Sequence, residues 1–182
     1  GSLFFIGYNH KMADDQIENL KLPPHSVEAE QSLLGGLLID NEGLDKVSDV
    51  INPKDFYRHD HQIIFKHIVK VIEASQPADI ITVGESLEKN NELTTIGGLA
   101  YLGLLAENTP TSANIRGYAT IVRERSIMRS LVQVGSDIAE SAYSPQGRDA
   151  QQLLDESEAK IFQIAESGKR DNIGFEDIQH LL

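Results

Sequence analysis

Apolar residues recur every three or four positions along most of this chain, whereas the alternation typical of half-buried strands is nearly absent. The clearest stripe lies in residues 61–74, where the apolar positions are Ile64, Phe65, Ile68, Val69 and Ile72. The same period predicts helices over residues 26–39, 42–50, 82–90 and 101–106. The pattern therefore predicts an all-α fold.

The first helix has the strongest start signal. Pro23 and Pro24 disfavour helix before them, and Ser26 is a favoured N-cap that accepts a backbone N–H. Glu28 and Glu30 follow in the first turn, where carboxylates interact favourably with the helix dipole. We therefore expect capping or solvated roles for both, and not acid–base chemistry.

Three further local signals refine the predicted helices. Asn52 followed by Pro53 predicts a short helical turn, because proline is favoured at the first helical position. Thr82 with Glu85 predicts a capping box at the start of the helix over residues 82–90. Glycines 35 and 36 lie inside the first helix, where glycine costs roughly 1 kcal/mol relative to alanine, so we expect close backbone packing there.

Two longer amphipathic segments follow the short helices. One covers residues 113–142, residues 144–147 interrupt the pattern, and the second begins near Asp149. This arrangement predicts a small multi-helix globular head followed by a long antiparallel helical hairpin. The apolar edge of the hairpin exceeds what the head can cover, so we expect it to pair with a second copy. The candidate residues for that dimer contact are Leu131, Val134, Leu154 and Ile161.

The sequence divides into four predicted segments. Residues 1–20 are a tag-derived or flexible N-terminal extension, in which Gly1-Ser2 resembles a cloning scar and Met12 a natural start. Residues 21–111 form the globular head, and residues 112–167 form the dimerisation hairpin. Residues 168–182 are predicted as a polar linker, bounded by glycines, and the start of a linker helix from Phe175.

Composition limits the classes of function. The 182 residues have 40% hydrophobic and 24% charged content, no cysteine, and a formal net charge of −12. A surface so acidic repels phosphate, so we expect no strong direct binding of nucleic acid. The most basic segment carries Arg116, Arg123, Arg125 and Arg129, but nearby carboxylates nearly balance them, which favours a solvated helix face.

Candidate catalytic and metal-binding groups are few. His59, Asp60, His61 and His67 lie close together in sequence, but no HExxH spacing is present. Partly exposed histidines without a metal are the favoured interpretation, with a metal-dependent helical enzyme as a weaker alternative. A Walker A loop is also absent, because the only Gly-Lys pair, Gly168-Lys169, is followed by Arg170. We expect this segment not to hydrolyse ATP, and we expect neither a cofactor nor a metal in it.

Tyr101 has two possible roles. A tyrosine in an apolar helix is commonly a core residue with its hydroxyl at the rim of the core. Exposed aromatic residues, in contrast, often anchor partner proteins. The residues alone favour the core role without excluding the second.

Five separate strings occur in the order found in a known family: PPHSVEAEQSLLGG at residues 23–36, DFY at 55–57, GGLAYL at 97–102, NTPTSANI at 108–115 and YATIVRE at 118–124. Together they resemble the N-terminal domain of bacterial replicative DNA helicases of the DnaB type, including its hairpin and the start of its linker helix. The resemblance covers roughly residues 20–182, although the N-terminal extension matches nothing in the family.

The resemblance implies a role in assembly and regulation. The parent proteins are cytoplasmic hexameric helicases of the replisome that unwind DNA with ATP and Mg²⁺ in a separate motor domain. Hairpins would pair the heads into dimers, and three dimers would form a collar that binds primase, with a helicase loader as a further candidate partner. Tyr101 matches a position of the primase-docking surface in this family, and the matching positions Glu28, Val132 and Ile138 extend it. The alternative interpretation is a stand-alone helical dimerisation adaptor that acts on the replicative helicase.

Overall fold

The computed structural model describes residues 22–181, with side chains described up to residue 168, and contains no strand in that range. Its helices are α1 (Val27–Ile39), α2 (Gly43–Val47), α3 (His59–Glu73), α4 (Ile80–Lys89), α5 (Gly98–Glu107), α6 (Ile115–Tyr143) and α7 (Ala150–Leu181), and the 3₁₀ turn is Pro53–Asp55. The predicted all-α fold is confirmed. The predicted extension over residues 1–20 lies outside the described residues.

Local start signals explain where α1 and α4 begin. The hydroxyl of Ser26 accepts from the backbone N–H of Ala29 at 3.2 Å, so the predicted N-cap of α1 is confirmed. The capping box of α4 was assigned to the wrong residues, because Asp79 is the N-cap and Thr82 is its N3 partner. The Asp79 carboxylate accepts from the N–H groups of Ile81 and Thr82 at 2.9 Å, and the Thr82 hydroxyl accepts from the N–H of Asp79.

Helix α1 is the most deeply buried element of the head, and it packs against α3, α5 and α6. The side chains of Leu33, Leu34 and Leu37 are fully buried. A Cβ atom at Gly35 would lie 1.8 Å from the hydroxyl of Thr109 and 2.1 Å from the carbonyl oxygen of Leu105. The predicted close backbone packing is therefore confirmed at Gly35, between α1 and the end of α5, whereas Gly36 faces the side chain of Ile115.

A buried carboxylate joins the head to the hairpin. Asp55 is fully buried at the end of the 3₁₀ turn, and its carboxylate accepts from the Arg123 guanidinium and the Ser126 hydroxyl, each at 2.8 Å. The backbone N–H of Asn52 also donates to this carboxylate, at 2.7 Å. Arg129 adds a bond from its guanidinium to the Asp55 carbonyl oxygen at 2.6 Å. Because Arg123, Ser126 and Arg129 all belong to α6, these bonds attach the hairpin firmly to the head.

The expectation of a solvated arginine face is wrong for two of its four members. The side chain of Arg123 is 13% exposed and also donates to the hydroxyl of Ser167 on α7. Arg129 donates to the carbonyl oxygens of Pro24 and Asp55, and burial lowers its pKa below that of a free guanidinium. The prediction summed the charges of residues that are close in sequence. Such a sum does not show which way a side chain points, and these two cations face the head.

Helix α6 changes environment along its length. Ile115, Ala119 and Val122 are buried in the head core, whereas Leu131 and Val132 are exposed. Beyond the head, α6 packs against α7, which runs back toward it as the second arm of the predicted hairpin. The first turns of α6 therefore complete the head, and the later turns form the hairpin.

Helix α7 continues from Ala150 to Leu181 without interruption. Residues 168–174, which the sequence pattern predicts as a linker, are part of this helix. Its two glycines lie six positions apart, no proline separates them, and each glycine costs only about 1 kcal/mol in a helix. None of the helices in residues 22–181 has the length and apolarity needed to cross a membrane.

Removal of the Asp55 carboxylate should destabilise the protein strongly. We expect Asp55→Ala to lower the free energy of unfolding by about 3 kcal/mol, because it removes a fully buried carboxylate that pairs with a largely buried guanidinium and accepts from Ser126 and Asn52. Glu85→Ala is the matched control, since Glu85 and its partner Lys89 are 67% and 75% exposed and surface pairs contribute about 1 kcal/mol or less. Urea unfolding followed by circular dichroism at one fixed protein concentration measures both values. Equal losses in the two variants would contradict the structural role of Asp55.

Candidate partner-docking surfaces

Tyr101 lies on α5 with its ring half-buried and its hydroxyl directed into the head. The hydroxyl oxygen lies 2.6 Å from Nε2 of His61 on α3, and it accepts from the side-chain amide of Gln31 on α1 at 3.2 Å. Gly97, which precedes α5, has a φ of +103°, and a Cβ there would lie 3.0 Å from the Cβ of Tyr101. The position of the ring thus depends on α1, on α3 and on a glycine.

The hydrogen bonds of Tyr101 continue to a buried carboxylate. Glu30 is 1% exposed, and its Oε1 lies 2.8 Å from Nδ1 of His61, which is fully buried. The backbone N–H groups of Tyr57 and Arg58 also donate to Glu30, at 2.9 and 3.3 Å. These three hydrogen-bonding partners compensate for the loss of water around the buried carboxyl group of Glu30.

The burial of these groups corrects two expectations. Glu30 is neither a solvated nor a capping residue, because its carboxylate points into the head. His61 and His67 are buried instead of partly exposed, and His67 bonds to the Ser86 hydroxyl at 2.8 Å and the Glu92 carboxylate at 3.0 Å. The described residues contain no cluster of three or more His, Asp or Glu side chains able to hold a metal ion. His61 and His67 are therefore hydrogen-bonding members of the core, whereas His59 is exposed.

A charged pair borders the Tyr101 ring. The Arg58 guanidinium carbon lies 5.5 Å from the ring centroid, a cation–π distance. Arg58 donates to both oxygens of Asp60, at 3.0 and 2.5 Å, and these hydrogen bonds raise the pKa of Arg58 above its ordinary value. This cation remains partly exposed beside an aromatic ring, so the ring's surroundings combine apolar and charged groups.

Glu28 lies on the same side of the head as Tyr101. It is exposed on α1, one turn before Gln31, the residue that donates to the Tyr101 hydroxyl. A groove of about 230 Å³ separates α1 from the end of α5, and its lining residues are Glu28, Gln31, Ser32, Leu104, Leu105, Asn108 and Pro110. The structure therefore brings Glu28 and Tyr101 to one continuous surface, which also includes the exposed side chain of Leu104.

Val132 and Ile138 lie elsewhere, on the hairpin. Both follow Arg129 on α6, past the bonds that attach this helix to the head. Val132 is 58% exposed, whereas Ile138 is half-buried. The structure places these two predicted residues on a second surface of the same chain, separate from the Tyr101 surface.

The predicted dimer residues lie on the hairpin helices. Leu131, Leu154 and Ile161 are exposed, and each retains about half of its free surface or more. Val134 is half-buried and lines a groove of about 400 Å³ between α6 and α7, to which Ile127 and Ile164 also contribute. Phe162 on α7, which the sequence pattern did not single out, is 64% exposed. The hairpin thus presents a substantial unpaired apolar surface in one chain.

The comparisons with known proteins agree with this architecture. Residues 22–124 match the family model described as the DnaB-like helicase N-terminal domain. The chain belongs to the DnaB-like helicase N-terminal domain family. It is 43% identical over 172 residues to the replicative DNA helicase DnaB of Buchnera aphidicola subsp. Baizongia pistaciae, and 38% identical over 172 residues to that of Haemophilus influenzae. Each alignment covers 94% of this chain but 37% of the relative, so the chain spans little more than a third of those proteins.

Two solved structures resemble the fold. The N-terminal domain of DnaB helicase from Mycobacterium tuberculosis aligns with a TM-score of 0.74 and 36% identity, covering 78% of this chain and 99% of that one. A structure described as a DnaB-like replicative helicase and its interactions with primase aligns with a TM-score of 0.65 and 20% identity. That alignment covers 79% of this chain and 32% of the other, and it supports the fold alone.

Substitution of Gly97 should disturb the start of α5. We expect Gly97→Ala to lower the free energy of unfolding by about 1–2 kcal/mol, because a φ of +103° is strained for any residue with a Cβ. The matched control is Gly103→Ala on the same helix, where an added Cβ meets no atom within 4 Å. The control should be neutral or stabilising by up to about 1 kcal/mol. Thermal and urea unfolding measure both, and a neutral Gly97→Ala would contradict the strained start of α5.

Proposed function

We propose that this chain forms the oligomerisation collar of a bacterial replicative DNA helicase and docks primase. The observation that carries the proposal is the presentation of Tyr101, whose half-buried ring is held by bonds from α1 and α3 at the edge of an exposed apolar helix. Family membership supports the helicase, and the match of Tyr101 to a primase-docking position of this family supports the choice of partner.

The composition of α5 supports a docking role for its outer face. The helix reads GLAYLGLLAE, so it is apolar on nearly all sides, yet the side chains of Leu99 and Leu104 are 46% and 45% exposed. A helix that is apolar all round is normally covered on all sides. Together with Tyr101 and the groove beside Glu28, these residues would form the primase contact on the head.

We further propose that the hairpin is the self-association surface. Heads formed by residues 21–111 would pair through hairpins formed by residues 112–167, with Leu131, Val134, Leu154 and Ile161 in the contact. Exposure of three of these four residues in a single chain supports this assignment. Three such dimers would make the collar of the hexamer, and Val132 with Ile138 would extend the primase surface onto the hairpin of the same chain.

The remaining parts of the proposal concern the longer helicase. ATP and Mg²⁺ would serve a motor domain, since these 182 residues carry no Walker A motif. Residues 168–182 would connect the collar to that motor, and a helicase loader is a further candidate partner. Occupancy of the collar by primase would couple primer synthesis to unwinding within the cytoplasmic replisome by favouring one collar arrangement. The alternative is a stand-alone dimerisation adaptor, which would bind the helicase itself.

Tyr101→Ala tests the docking surface. We expect its affinity for full-length cognate primase to fall by about 1–2 kcal/mol, or roughly 5- to 30-fold, because central aromatic residues dominate interface energies. Titration calorimetry measures the affinity, and circular dichroism checks that helicity is retained.

Tyr143→Ala is the matched control for this measurement. Tyr143 is 91% exposed at the far end of α6, so its loss removes an exposed tyrosine without touching α5. The control should bind primase as the unaltered chain does. A folded Tyr101→Ala protein with unchanged affinity would remove Tyr101 from the proposed surface.

Light scattering tests the hairpin. We expect the chain to have at least twice its monomer mass, and the double variant Leu154→Glu/Ile161→Glu to become monomeric, because two charges would be buried in an apolar contact. Ile81→Glu on the head is the control, since Ile81 is 67% exposed on α4 and lies outside the hairpin. A monomeric unaltered chain, or a double variant with unaltered mass, contradicts the self-association proposal.

A further inference from the structure

A continuous line of hydrogen bonds leads from the interior of the head to its surface at Tyr101. It begins at the Glu30 carboxylate, passes through the two ring nitrogens of His61, and ends at the Tyr101 hydroxyl. We propose that Glu30 and His61 are positioning residues of the docking surface, which act on the partner only through Tyr101. This inference rests on the proposed primase-docking function and adds two buried residues to it.

Each bond of this line joins two defined atoms. The Glu30 carboxylate accepts two backbone N–H groups and pairs with Nδ1 of His61. The other ring nitrogen of His61, Nε2, pairs with the Tyr101 hydroxyl, which also accepts from the Gln31 amide. The hydroxyl is therefore held by one side chain of α3 and one of α1.

This assignment has a consequence for the exposed part of Tyr101. Because the hydroxyl is bonded on both sides, the ring cannot rotate about χ1 without breaking two hydrogen bonds at once. A side chain held in its bound orientation loses little rotamer entropy when a partner covers it. Release of the ring should therefore weaken partner binding by roughly 2- to 10-fold, even though neither Glu30 nor His61 reaches the surface.

The groups around His61 are consistent with a fixed orientation. Its ring stands at 5.9 Å from the Tyr101 ring and packs edge-on to Phe56 at 6.5 Å between centroids. The nearest charge besides Glu30 is Asp60, whose carboxylate accepts from the backbone N–H of His61 at 2.8 Å. The Arg58 guanidinium contacts the Tyr101 ring and the Asp60 carboxylate, so the residues next to His61 and Tyr101 are also held by specific contacts.

The decisive experiment is a double-mutant cycle on the affinity for full-length cognate primase. His61→Asn keeps a donor near the Nδ1 position and removes the atom at Nε2, whereas His61→Gln supplies an acceptor near Nε2. Tyr101→Phe removes only the hydroxyl. We expect His61→Asn and Tyr101→Phe to weaken binding by a similar factor and not to add when combined, and His61→Gln to restore part of the affinity.

His67→Asn is the matched control within the same helix. His67 is also a buried histidine with two side-chain partners, but those partners are Ser86 and Glu92. Its loss should reduce stability while leaving primase affinity unchanged. A merely structural role of His61 would give His61→Asn and His67→Asn the same profile, so this pair separates positioning from general destabilisation.

A spectroscopic measurement reports on the same bond without primase. In protein labelled with ¹³C at tyrosine Cζ, the Tyr101 resonance is assigned by its absence from Tyr101→Phe. We expect this resonance to shift in His61→Asn and to stay in place in His67→Asn. If His61→Asn does not fold, His61→Gln replaces it in the cycle, and additive losses or normal binding by Tyr101→Phe overturn the inference.

The outcomes separate this inference from the function on which it rests. Unchanged affinity of Tyr101→Ala overturns both, because Tyr101 would then not be an anchor. Weakened Tyr101→Ala with normal binding by Tyr101→Phe overturns only the positioning role. If His61→Asn has an equal effect with Tyr101 intact and in the Tyr101→Phe background, the positioning role is also overturned, because His61 would then act by another route.

Discussion

The burial of α1 on nearly all sides is the constraint from which the rest of the head follows. Leucine side chains at 33, 34, 37 and 38 leave no polar face along most of this helix, so α3, α5 and α6 must all pack against it. Three neighbours around one short helix require at least one very close approach, and Gly35 provides it against the end of α5. The same close packing buries Glu30, whose side chain is almost completely inaccessible to solvent.

Two buried carboxylates in this protein are compensated in different ways. Asp55 is neutralised by the Arg123 cation and a hydroxyl from α6, which makes it a connection between two parts of the fold. Glu30 accepts two backbone N–H groups and pairs with Nδ1 of His61, and its bonds lead outward to Tyr101. The first arrangement stabilises the attachment of the hairpin, whereas the second orders a side chain at the surface.

Most of the fold could be predicted because helical periodicity and capping residues are local properties. The stripe in α3, the N-cap at Ser26 and the turn before α7 all depend on residues within a few positions of one another. The continuation of α7 past residue 168 was missed because glycine spacing only weakly opposes a long helix. The direction in which each arginine side chain points depends on tertiary contacts. The net charge of the segment therefore could not show that Arg123 and Arg129 point into the protein.

The site was harder to predict because its bonds join residues far apart in the sequence. Glu30 and His61 are separated by 31 positions, and His61 and Tyr101 by 40. One signal was nevertheless present: Glu30 lies three and four residues before Leu33 and Leu34, and His61 has the same spacing to Ile64 and Phe65. Both polar residues therefore fall on core-facing stripes, which indicates burial but not the identity of the partner.

Helix α6 is shared by the head and the hairpin, because its first turns lie in the head core and its last turns form one arm of the hairpin. From Arg129 to Tyr143 it extends about 21 Å beyond its attachment, at 1.5 Å per residue. With the base held by Asp55, a tilt of the head by about 10° displaces the hairpin tip by about 4 Å. Because α6 is continuous from the head core to the hairpin, any rotation of the head is carried to the hairpin tip and enlarged there.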